Sequence, residues 1–129
     1  QASKLEEVLS AAQNQRTSAH VQIRDLMTQK RDVLKERMDG FQQLYEVGGV
    51  QMDRVLIARI DLLRAELDLA TSKQERIAIL ESQLKTRQEF EQRATRRYED
   101  GRDGFEVKLT ATADRLEAEI ALLREKAKP

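Results

Sequence analysis

Apolar residues at Ile23, Met27, Leu34, Met38, Phe41 and Tyr45 keep helical spacing, with one polar gap at Lys30, and no proline occurs between Leu5 and Tyr45. This pattern predicts one long first helix. Its weak stretch is "QNQRTSAH", residues 13–20, where no large apolar side chain anchors a face and Thr17 and Ser18 can bond to their own backbone. A kink or a break is expected there. Gly40 weakens the interior by about 1 kcal/mol relative to alanine, and Gly48 and Gly49 supply the residue type that best closes a helix in the left-handed conformation.

Beyond that stop, Leu56, Ile60, Leu63, Leu67 and Ala70 form one stripe and Val55, Leu62 and Leu69 a second beside it. So broad a face belongs to a helix lying between neighbours. Ser72 with Glu75 three residues later has the spacing of a capping box, which starts a third helix near Lys73. Ile77, Leu80, Leu84, Ala94 and Tyr98 would face inward from it, with Arg87 and Glu91 interrupting the stripe and Phe90 shifting it locally. "EDGRDG" is the next stop. After it Phe105, Leu109, Ala113, Leu116, Ile120 and Leu123 step by fours and threes, the cleanest seam in the chain and close to a heptad pattern.

The line around the first glycine turn is written twice, from Tyr45 and again from Tyr98, 53 residues later. Each copy reads as helix end, glycine turn and helix start, so the chain resolves into two hairpin units, about 31–72 and 73–127, preceded by an N-terminal extension over 1–30. The expected fold is all-α: an antiparallel up-down-up-down bundle with a long first helix, its two glycine turns at one end. Phe41, Tyr45, Tyr98 and Phe105 fall within about two turns of a glycine break and should gather at that tip. Rings filling space where helices splay outweigh a ligand cage as the account of them.

An unbroken first helix would span roughly 60 to 65 Å and overhang its partners by roughly 25 to 30 Å. Its leading apolar residues Leu5, Val8, Leu9 and Ala12 would then have nothing to bury against. Either the helix folds back near residues 13–20, or the stripe pairs with another chain by two-fold symmetry; pairing, and hence a homodimer, is the expectation.

Composition sharpens this picture by exclusion. At 129 residues, with 36% charged and five aromatic side chains, the chain fits one slender helical domain. Its 23 basic and 23 acidic residues cancel, leaving no overall field to draw in nucleic acid or an anionic bilayer. Without cysteine there are no disulfides, thiolate metal sites or thiol nucleophiles. No apolar run approaches the roughly 20 residues that cross a bilayer. A start at Gln1 suggests a processed or trimmed product.

The pattern Tyr-x-x-Gly, a short turn, and a helix reading Leu-x-Ala then Leu-x-Ala-Glu-Leu runs through Tyr45, Gly48, Leu56, Ala58, Leu63, Ala65, Glu66 and Leu67. It returns at Tyr98, Gly101, Leu109, Ala111, Leu116, Ala118, Glu119 and Ile120. This resembles the repeated hairpin-tip segment of outer-membrane efflux channels of the TolC type, over about half the chain. The resemblance implies a turn or tip role for Tyr45, Gly48, Gly49, Tyr98 and Gly101, and a protein partner rather than a small substrate. Gln51 and Gly104 stand where that family commonly starts the returning helix with a small polar residue, and Arg54 and Val107 where it commonly has aspartate. No stretch between the copies supplies transmembrane strands. The resemblance therefore implies a compact helical module of a bacterial cell envelope, periplasmic or secreted, not a whole channel.

No residue constellation announces a reaction. His20 is the single histidine, and Thr17 stands where the Glu of a Glu-x-x-His bundle metal site would be. "DGRDGFE" places Asp100, Asp103 and Glu106 at spacings that do not match a calcium loop. Arg93, Arg96, Arg97 and Arg102 make a basic patch, but Glu89, Glu91, Glu99 and Asp100 lie among them, as on an ordinary solvated face. Surface carboxylate pairs such as Glu117 and Glu119 lack a pocket to raise a pKa. The expectation is a non-enzymatic structural or interaction module without cofactor or metal. A helical sensor with a ligand among the tip aromatics is the alternative.

Overall fold

The computed structural model describes residues 2–129; Gln1, on which the expectation of a trimmed product rests, lies outside them. Four helices follow in order: α1 (Ala2–Glu46), α2 (Met52–Leu69), α3 (Lys73–Glu99) and α4 (Phe105–Ala127). Among the described residues there is no strand. The fold is the expected all-α antiparallel bundle, packed in series: α1 lies on α2, α2 on α3 and α3 on α4.

The break expected at residues 13–20 does not occur, and the fold-back goes with it, because α1 runs through the stretch as one helix. The Thr17 hydroxyl donates to the Gln13 carbonyl one turn back, at 3.0 Å, so its capacity to compete with the helix is spent inside the helix. Arg24 Nη2 donates to the Leu69 carbonyl at the far end of α2, which marks where the first hairpin ends. Residues 2–23 run past it for roughly 33 Å.

Both glycine turns close in the same way. Gly48 and Gly101 take φ of 79° and 73°, the left-handed region that glycine enters without steric cost. The amide of each donates to the tyrosine carbonyl three residues back, Tyr45 and Tyr98, at 3.0 Å. The next amides, Gly49 and Arg102, reach Leu44 and Arg97 carbonyls at 2.7 and 2.8 Å, the paired bonds of a Schellman closure. Helices α2 and α4 then start from extended Gln51 and Gly104, neither with a side-chain cap. The capping box at the other end is as read: Glu75 N–H donates to Ser72 Oγ, and the Glu75 carboxylate accepts from Thr71 N–H, each at 3.1 Å.

The core is centred on α2. Both of its stripes are used, with Val55, Leu56, Ala58, Ile60, Leu62, Leu63 and Ala65 buried. Helix α3 contributes Leu80 and Ala94, and α4 contributes Ala111 and Leu122. Arg87 and Glu91, which interrupt the apolar stripe of α3, meet Asp114 at 3.5 Å and Arg115 at 3.0 Å on α4. The heptad seam of α4 stays out of the core: Phe105, Leu109, Ala113, Leu116, Ile120 and Leu123 are all exposed.

Candidate functional site

The two glycine turns lie at one end, and Arg97 ties them together. From the last turn of α3 its Nη1 donates to Asp53 in the first turn of α2, and its Nε donates to Asp103 in the second glycine turn at 2.7 Å. Arg93 Nε donates to the other Asp53 oxygen at 2.8 Å. Burial alone lowers the Arg97 pKa, but the hydrogen bonds and charges of Asp53 and Asp103 outweigh it and hold the guanidinium above its ordinary value. Two members of the basic patch are thus internal clamps. Arg102 pairs with Asp100 at 3.0 Å, so the aspartates of "DGRDGFE" serve arginines. Asp53 escaped the sequence reading, because its partners lie 40 and 44 residues away.

The tip aromatics do not form a buried cluster, and much of their surface is open. Phe41 is half-buried beneath the Arg37 guanidinium, 5.4 Å from the ring centroid, and Tyr98 is exposed with Lys108 Nζ 5.0 Å from its centroid. Tyr45 and Phe105 are exposed. A cation near a ring face is a favourable electrostatic contact worth about 0.5–1 kcal/mol at open sites.

The opposite end is closed by a second set of ties. Arg76 Nε donates to buried Glu125 at 2.5 Å, and Lys128 pairs with the same carboxylate at 2.7 Å. The Glu125 pKa is lowered, chiefly by the Lys128 hydrogen bond and then by that of Arg76. Lys73 Nζ donates to the Lys126 and Lys128 carbonyls at the end of α4. Midway, the Arg115 hydrogen bond lowers the Glu91 pKa against the opposing effect of burial.

Apolar surface remains open on α1, where Ile23, Leu26 and Val33 are exposed, and on α4. Leu5, Val8 and Leu9 of the overhanging stripe are exposed and Ala12 is half-buried. The outward face of α4 is the larger, running its whole length from Phe105 to Leu123. Its positions repeat those of the α2 core stripe 53 residues earlier, with opposite outcomes: Leu56 is 0% exposed and Leu109 57%, Leu63 9% and Leu116 45%. The difference is topological, since α2 has a helix on each side and α4 has one. No family model matches the chain, and neither a curated protein nor a solved structure matches it.

Proposed function

We propose that this chain is a non-enzymatic structural or protein-interaction module whose working surfaces are helix faces. The exposed seam of α4 carries the reading, because six regularly spaced apolar residues on one rigid helix form a surface shaped for another helix. The overhanging stripe Leu5, Val8, Leu9 and Ala12 is a second protein-binding surface, suited to self-association by two-fold pairing of the N-terminal segments. The resemblance of the hairpin tips to those of TolC-type efflux channels adds a bacterial cell envelope, periplasmic or secreted, as the setting.

A small-molecule thermal-shift screen tests the module reading against a ligand-binding one. A ligand held at Phe41, Tyr45, Tyr98 or Phe105 would raise the melting temperature by mass action. The expected result is no such hit; a strong hit abolished by Tyr98→Ala overturns the proposal. Sedimentation of the intact chain and of a version starting at Val21 tests the N-terminal pairing, which requires association to weaken on truncation.

A further inference from the structure

The 53-residue repeat relates the two exposed edges of the molecule to its own centre. Across the α2–α3 contact, Asp53 binds Arg93 and Arg97, Arg59 Nη1 lies 3.7 Å from Glu89, and Ile60 and Leu67 line a cleft with Leu80 and Gln83. On α2 the stripe is Asp53, Leu56, Ile60, Leu63 and Leu67. Moved along by one repeat, these become Glu106, Leu109, Ala113, Leu116 and Ile120, all of them exposed on α4. The α3 side follows the spacing Ile79, Gln83, Thr86, Phe90, Arg93 and Arg97. Moved back by one repeat, it becomes Leu26, Lys30, Val33, Arg37, Gly40 and Leu44, all exposed on α1.

The molecule therefore displays the two halves of its central interface on opposite edges. The α1 half is a heptad stripe with Leu26 and Val33 each 63% exposed and Ile23, also exposed, continuing it by one step. Charge agrees with this pairing. Lys30, in the middle of the α1 half, and Glu106, on the α4 half, have no ion-pair partner among the described residues. The repeat sets Lys30 at the place of Gln83 and Glu106 at that of Asp53, so the two halves carry unpaired charges of opposite sign.

We propose that a second copy of this chain docks on α4 through the outward face of its α1, antiparallel, repeating the α2–α3 contact between molecules. Leu109, Ala113, Leu116 and Ile120 of one copy meet Val33, Leu26 and Ile23 of the next. The contact is heterologous: each copy uses a different face toward each neighbour, so growth continues until it closes or runs on as a chain. The proposal rests on the reading of these faces as protein-binding.

The test is sedimentation of full-length chains that all carry Leu5→Glu and Leu9→Glu, which remove the N-terminal pairing. It compares the otherwise wild-type chain, Leu116→Glu, Val33→Glu and an equimolar mixture of the two variants. In that background the otherwise wild-type chain associates beyond a dimer as concentration rises, and each variant alone is monomeric. The mixture forms a one-to-one heterodimer, because Leu116→Glu retains the α1 face and Val33→Glu retains the α4 face. Ile120→Lys and Leu26→Lys form a second pair that must behave alike, and circular dichroism checks that all four keep the helical fold. A mixture that stays monomeric overturns the proposal, and so does a Val33→Glu variant that still associates as wild type, the mark of α4 pairing with α4. An otherwise wild-type chain that is monomeric at every concentration, with the α4 variants folded, overturns the second copy as occupant and leaves the interaction reading standing. Loss of fold in the α4 variants means that this face serves the fold, and both readings fall.

Discussion

Arg97 and Asp53, 44 residues apart, form the ion pair that fixes the second hairpin against the first at the turn end. Both side chains are largely buried, at 19% and 18% exposed, and Arg97 also holds Asp103. A double-mutant cycle with Asp53→Asn and Arg97→Gln, read by urea unfolding, should give a coupling of about 1–2 kcal/mol, above the usual exposed pair and below a fully buried one. A coupling near zero would mean that the clamp holds no stability.

The glycines separate into two classes. At Gly48 and Gly101 an added Cβ meets no atom within 4 Å, so Gly48→Ala and Gly101→Ala measure the left-handed backbone alone and should each cost about 1–2 kcal/mol. Gly40 is also uncrowded but sits inside α1, where no close helix approach requires it. Gly40→Ala should stabilise the monomer by about 0.5–1 kcal/mol in the same unfolding experiment.

Acid should weaken the fold through Glu91 and Glu125. Both carboxyls titrate below the ordinary value of 4.5 in the folded chain, held down chiefly by Arg115 and by Lys128 respectively. The unfolded chain then binds more protons, so their contribution is complete above about pH 4.5 and is lost as pH falls through the folded values. The melting temperature should hold from neutral pH to that point and drop below it. Glu125→Gln should melt lower at neutral pH, with the two curves converging in acid; parallel curves would refute the linkage.

Equivalent leucines should respond unequally. Leu63→Ala opens the core and should cost about 2–4 kcal/mol, whereas Leu116→Ala, at the same place in the second copy, should stay within about 0.5 kcal/mol in a dilute monomer. Equal losses would show that the α4 face is covered within the chain.

The helices, the glycine closures and the Ser72–Glu75 cap were legible because each depends on residues within one or two turns. Which face of a helix is buried depends on how many neighbours it has, and the pattern of α4 is as good a core stripe as that of α2. Local rules likewise marked residues 13–20 as weak, yet the Thr17 bond to Gln13 lies within the helix and leaves it intact. Arg87 and Glu91 looked like flaws in a stripe because their partners Asp114 and Arg115 stand 24 to 27 residues on. The Asp53 clamp was hidden for the same reason, since only the fold brings its two arginines to it.

Serial packing has a consequence for how the molecule opens. Almost every tertiary contact joins neighbouring helices, a low-contact-order topology of the kind that folds within microseconds to milliseconds. Helix α1 has no fully buried side chain among the described residues, whereas α2 has seven. Backbone amides should therefore exchange with solvent in a graded order, first along residues 3–23, next in the rest of α1, and last in α2. The ends of α1 can fray and re-form while α2 and α3 stay shut, so a neighbour arriving at that edge meets a helix that yields before the core does.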